Sequence, residues 1–120
     1  MVAHNIKSGD AAEQRAYRFL LAKGLKFLIK NYRCKQGEID LIMRDNQDIV
    51  FIEVRSRTDS SFGSAIESIN KNKQRKILCT AIHFLQERNW LDKENCRFDV
   101  IGISQDNIEW IKNAFNADIL

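Results

Sequence analysis

Apolar residues recur at helical spacing near the start of the chain, at Ala12, Ala16, Phe19 and Leu20, and predict a helix from about Gly9 to Lys23. Ser8 precedes it as a capping residue, and Gly24 follows where a left-handed backbone suits glycine best. Leu25 to Arg33 then reads as a strand. Two further apolar runs, Glu38 to Met43 and Ile49 to Val54, flank the polar connector Arg44-Asp45-Asn46-Gln47-Asp48 and predict a hairpin. After a loop containing Gly63, helical spacing resumes from about Ala65 through Gln74, Ile77, Leu78, Ala81, Ile82 and Leu85, with Asn89 as its end. Two strands close the pattern, Cys96 to Ile103 and Ile108 to about Asn113, turning at Ser104 to Asn107. Helix, three strands, helix and two strands make an α/β sandwich around a mixed sheet.

The hairpin strands are apolar enough to be inner strands, yet they carry charge. Side chains alternate along a strand, so Glu38 and Asp40 share one face of the first run, and Glu53 and Arg55 share one face of the second. With the turn centred between Asn46 and Gln47, Asp40 lies opposite Glu53, and Glu38 opposite Arg55. Opposed Cβ atoms stand about 4.5–5.5 Å apart. Two carboxylates that close repel unless one is protonated or a cation sits between them. Mg²⁺ or Mn²⁺ held by Asp40 and Glu53 is one resolution, since hard cations take oxygen ligands. A solvent face laced with cross-strand salt bridges fits the same alternation equally well.

Length and composition narrow the class. The 120 residues fit one domain, and 44% hydrophobic with 29% charged residues is ordinary for a globular fold. Cys34, Cys79 and Cys96 are odd in number and lack CxxC spacing, which points to reduced, partly buried thiols rather than a disulfide framework or a zinc site. No run approaches a membrane span or a signal peptide, so a soluble, cytoplasmic protein is expected. Nineteen basic against sixteen acidic residues give a net charge of +3. More telling is their placement: Arg55, Arg57, Lys71, Lys73, Arg75 and Lys76 follow the acidic hairpin closely. Such a strip can track a phosphate backbone, with Gln74 polarising a phosphate or holding water; a merely solvated helix face is the alternative. Arg97 and Asp99 share a strand face and read as a buried structural pair. His4 and His83 lack metal-ligand spacing to each other or to the acids and read as incidental, and Trp90 and Trp110 are expected to pack.

Gly37 to Ile42, followed by Phe51-Ile52-Glu53-Val54-Arg55-Ser56-Arg57, resembles the bacterial YraN family, small proteins assigned to the restriction-endonuclease-like superfamily. Phe62-Gly63, Lys73-Gln74, Cys96 to Val100 and Trp110 to Phe115 extend the resemblance over most of the chain. It implies a restriction-endonuclease-like fold, a mixed sheet of about five strands flanked by helices. The superfamily pattern is an Asp, then Asp or Glu, any residue and Lys one strand later, often with a helical Glu. It implies Asp40 and Glu53 as metal ligands, and Glu13 as the helical acid, similar to that of archaeal Holliday-junction resolvases. Arg55 occupies the lysine position, a departure, because arginine stays protonated and cannot serve as a base. Lys73 is an alternative source of an ammonium group. The resemblance thus implies a Mg²⁺- or Mn²⁺-dependent nuclease acting on DNA, branched or otherwise structured. Resolvase-like enzymes act as dimers, so a homodimer is compatible. A non-catalytic nucleic-acid-binding protein that keeps the nuclease fold, and a protein-interaction module, are the competing expectations.

Overall fold

Residues 8–56 and 64–116 are described by a computed structural model. Helix α1 (Ser8–Ala22) leads into strands β1 (Lys26–Cys34), β2 (Gly37–Asp45) and β3 (Asp48–Ser56). Helices α2 (Ser64–Glu67) and α3 (Lys71–Glu87) follow, then β4 (Cys96–Ile103) and β5 (Ile108–Phe115). The strands form one five-stranded sheet in the order β1-β2-β3-β4-β5. Only β3 and β4 are parallel, so the sheet is mixed, and α2 with α3 supply the crossover that a parallel pair needs. This α/β architecture, a mixed sheet flanked by helices, is consistent with a restriction-endonuclease-like fold.

The two sheet faces have separate cores. Ala12, Ala16 and Leu20 of α1 pack on Leu41, Met43, Val50, Ile52, Ile101 and Ile103. Ile77, Ala81, Phe84 and Leu85 of α3 pack on Ile39, Ile42, Ile49, Phe51 and Val100 from the other side. Gly24, at φ +98°, ends α1 as its sequence position predicts, and the next amide, of Leu25, donates to Leu20. Asn46, at φ 55°, and Gln47 make a two-residue turn between Asp45 and Asp48. That turn sets the register Leu41↔Ile52, Ile42↔Phe51 and Met43↔Val50, the register the sequence predicts.

The second helix departs from expectation. In place of one helix from Ala65, the chain forms the short α2, breaks, and restarts at Lys71. Asn70 causes the restart: its backbone is extended and its side chain accepts the Lys73 amide, an N-cap that local helical periodicity conceals. The side-chain amide of Gln74 donates to the Ile69 carbonyl at 3.1 Å and closes the break.

At the far end of the sheet, Arg97 and Asp99 form the anticipated buried pair. The carboxylate of Asp99, wholly buried, accepts from Arg97 Nε at 3.1 Å, Trp110 Nε1 at 2.9 Å and the Asn113 amide at 2.9 Å. Arg97 also donates to Asp45 at 2.8 Å, tying the hairpin tip to β4 and β5. His83 is not incidental. The Tyr32 hydroxyl donates to Glu87 Oε1 at 2.6 Å and lies 2.6 Å from His83 Nδ1. With the one phenolic proton directed to Glu87, His83 Nδ1 is the donor, and the trio fixes edge strand β1 to α3. His4 lies outside the described residues. Of the thiols, Cys34 and Cys79 are half-buried and Cys96 is exposed, and all three are free. Among the described residues no helix is long and apolar enough to cross a membrane.

Gly102 admits α2 to the sheet: a Cβ there would lie 2.8 Å from that of Ala65, inside van der Waals contact. Gly102→Ala is therefore expected to cost about 1–3 kcal/mol of stability through overpacking. Thermal denaturation checks this; an unchanged midpoint contradicts it, and Ala65→Gly in the same chain should recover part of the loss.

Candidate functional site

The register places Asp40 one step beyond Leu41↔Ile52, opposite Glu53, where the hydrogen-bonded ladder between β2 and β3 ends. Strict alternation breaks there: Ile39 and Ile42 both join the α3-side core, whereas Leu41 and Met43 join the α1 side. The Asp40 carboxylate takes the place of a ladder carbonyl and accepts the Val54 amide at 2.8 Å. No sequence signal marks that backbone donor. From this position Asp40 hydrogen-bonds Glu53 of β3 and also Glu13 of α1. Helix and hairpin thus bring the three sequence-predicted acids into one chain of carboxyls.

Charge in this chain is unevenly held. Burial raises the Asp40 carboxyl, opposed by the Val54 amide and by hydrogen bonds from Glu13 and Glu53. Glu53 is 6% exposed, and its carboxyl is raised to about 8, first by burial and then by the negative charge of Asp40. Lys73 and Arg55 pull it the other way. Both reach the same oxygen, Glu53 Oε2: Arg55 Nη2 at 3.4 Å and Lys73 Nζ at 3.7 Å. These separations exceed the roughly 2.7–2.9 Å of a charge-assisted hydrogen bond, so the cations moderate the cluster without neutralising it. Arg55 Nε is buried and meets no acceptor among the described residues.

Hard carboxylate oxygens suit a divalent cation in kind. Among the described residues, however, no three His, Cys, Asp or Glu side chains are already spread around a common point. Asp40 and Glu53 lie close enough for the charge of one to raise the other's carboxyl.

Other predicted residues fall differently. Glu38 does not pair with Arg55; it lies opposite Arg33 on β1, with Arg33 Nε 3.6 Å from its carboxylate. Gln74 is committed to the helix break rather than to the site. Lys71 and Arg75 are exposed, and each is two residues from Lys73, about 200° around the helix, on the outer face. Arg57 lies outside the described residues. Trp90 and Trp110 pack as anticipated, Trp90 against Phe84 and Trp110 against Phe19.

A mixed α/β sheet carrying a chain of carboxyls, with Glu53 buried and two cationic side chains beside it, defines the class. The model of the uncharacterised protein family UPF0102 matches residues 12–103, and the chain belongs to that family. Similar proteins are the UPF0102 proteins of Coxiella burnetii (strain RSA 331 / Henzerling II), 50% identical over 93% of this chain and 94% of its own, and of Saccharophagus degradans (strain 2-40), 48% identical over 98% and 99%. The UPF0102 protein of Enterobacter sp. (strain 638) is 50% identical over 93% of this chain and 86% of its own.

The raised Glu53 group has a signed consequence. Unfolded, it titrates near 4.5; folded, near 8. Between these values the native state holds the extra proton, so stability present at low pH is lost as pH rises through that window. Glu53→Gln keeps a hydrogen-bonding side chain without the titration. It is expected to match the wild type near about pH 5 and to exceed it by at least about 1 kcal/mol near pH 8, in chelator. Chemical denaturation at both pH values reads this, and a constant difference between the proteins contradicts it.

Proposed function

We propose that this protein is a metal-dependent phosphodiesterase acting on DNA, of the restriction-endonuclease-like superfamily. The observation that carries this reading is the carboxyl chain of half-buried Glu13 and Asp40 with buried Glu53, and Arg55 and Lys73 on one oxygen of Glu53. Asp40 and Glu53 would hold Mg²⁺ or Mn²⁺, and Glu13, bonded to Asp40, would orient it. Such an ion supplies a Lewis acid for the phosphate and lowers the pKa of a bound water.

The remaining work falls to the chain's own side chains. Arg55 stays charged, and its partly exposed guanidinium has donors for phosphate oxygens. Lys73 brings an ammonium from a different element, α3, to within 3.7 Å of Glu53. It supplies the lysine that Arg55 displaces from the superfamily pattern. Both cations oppose the charge that develops on the phosphorane oxygens. DNA is the partner that a cationic border around an acidic centre suits, and a cytoplasmic location accords with it.

One observation favours a second reading, a DNA-binding protein without catalysis. Arg55, the cation of β3 among the described residues, is turned onto Glu53. Cleavage of duplex, flap and junction DNA with Mn²⁺ separates the two. The nuclease reading expects cutting by the wild type, with loss to background in Glu53→Ala and Asp40→Asn, and a loss of about tenfold or more in Lys73→Gln. Equal cutting by wild type and acid variants would expose a contaminating nuclease. Salt-sensitive binding without cutting establishes the second reading instead.

A further inference from the structure

Helix α3 divides its basic residues between two directions. Lys73 and Lys76, three residues apart, lie on adjoining positions of the helix, whereas Lys71 and Arg75 lie on the outer face. The position of a Cβ on Gly37 would be 3.5 Å from Lys76 Cβ and 3.2 Å from Thr80 Oγ1. The β1–β2 turn is therefore seated on α3 beside Lys76. This contact needs glycine at that position, because any larger residue crowds the helix.

Cys34 pairs with Gly37, which leaves Lys35 and Gln36 as the turn's tip, both exposed. Arg33 on the adjoining strand has a side chain 73% exposed, held to Glu38 by a 3.6 Å ion pair that solvent screens. No acidic side chain among the described residues pairs with Lys35 or Lys76. Gly37 also begins the strand that reaches Asp40 three residues later. Lys73 and Lys76 thus border this turn on its α3 side, Lys35 stands at its tip, and Arg33, next to the α3-facing Tyr32, lies on its other side.

We infer that this turn, through Arg33 and Lys35, is a second phosphate-contacting wall of the DNA surface. The backbone path runs over it rather than along Lys71 and Arg75. The inference rests on the nucleic-acid reading above and adds where the strand lies. Like other phosphate contacts, it confers affinity and register without sequence preference.

Affinity for a short labelled DNA duplex, measured over a series of salt concentrations in chelator, tests it. For Arg33→Ala/Lys35→Ala the slope of log affinity against log salt is expected to shrink by roughly 1.8, about 0.9 for each contact removed. Lys35→Ala alone should give about half that change. Arg75→Ala/Lys93→Ala removes equal charge from the outer face of α3 and the far end of the sheet, and should leave the slope unchanged. The inference is overturned if the turn variant keeps the wild-type slope, or if the control pair loses as much. Should wild type bind and Lys73→Ala weaken it while the turn variant binds normally, only the path is wrong. Should wild type fail to bind DNA at all, the nucleic-acid reading falls and takes the path with it.

Discussion

The hydrogen bond from the Val54 amide to the Asp40 carboxylate is the contact on which the site depends. Where the β2–β3 ladder stops, Val54 still needs an acceptor, since a buried amide left unpaired costs about 1–3 kcal/mol. A side chain provides it, and this lets Asp40 stand between the two layers. It therefore meets Glu13 from α1 and Glu53 from β3 at once. Burial raises the Asp40 carboxyl, and the charge of Asp40 in turn raises that of its neighbour. Glu53 then keeps a proton to about 8.

The two ends of the sheet show how differently buried charge can be arranged. Around Asp99 the donors match the acceptors: a guanidinium, an indole and a backbone amide serve one carboxylate, and Arg97 spans on to Asp45. That network is complete and holds strands together. Around Asp40 three carboxyls face two cations that stand at 3.4 and 3.7 Å from a single oxygen. That imbalance is part of what raises the Glu53 carboxyl. A satisfied network fixes a fold; an acid cluster short of positive charge marks a candidate site.

Much of this arrangement could be read from sequence because two local rules acted together. A two-residue turn at Asn46–Gln47 and the period of two along a strand suffice to oppose Asp40 and Glu53. Gly24 and the apolar spacing of α1 likewise marked that helix. Other features depend on events that spacing cannot express. The break at Asn70 lies inside a run whose apolar spacing continues across it, so Lys73 and Arg75 looked like one strip until the helix start fixed opposite directions for them. Glu38 meets Arg33 because β2 has a partner on each side, and hairpin register speaks only to one of them. The interrupted alternation at Asp40, which lets Glu13 reach it, arises from strand separation and has no local signature. Glu13 was accessible through family resemblance alone.

The proposed function requires a divalent cation to displace the proton that Glu53 holds. Calorimetric titration of Mn²⁺ into the protein, in two buffers of different ionisation enthalpy at about pH 6.5, measures that exchange directly. Metal ligands must be deprotonated to bind, so about one proton should leave per Mn²⁺ bound, and Glu53→Gln should abolish both the binding and the release. Binding with no proton release, or binding that Glu53→Gln leaves intact, would contradict the account.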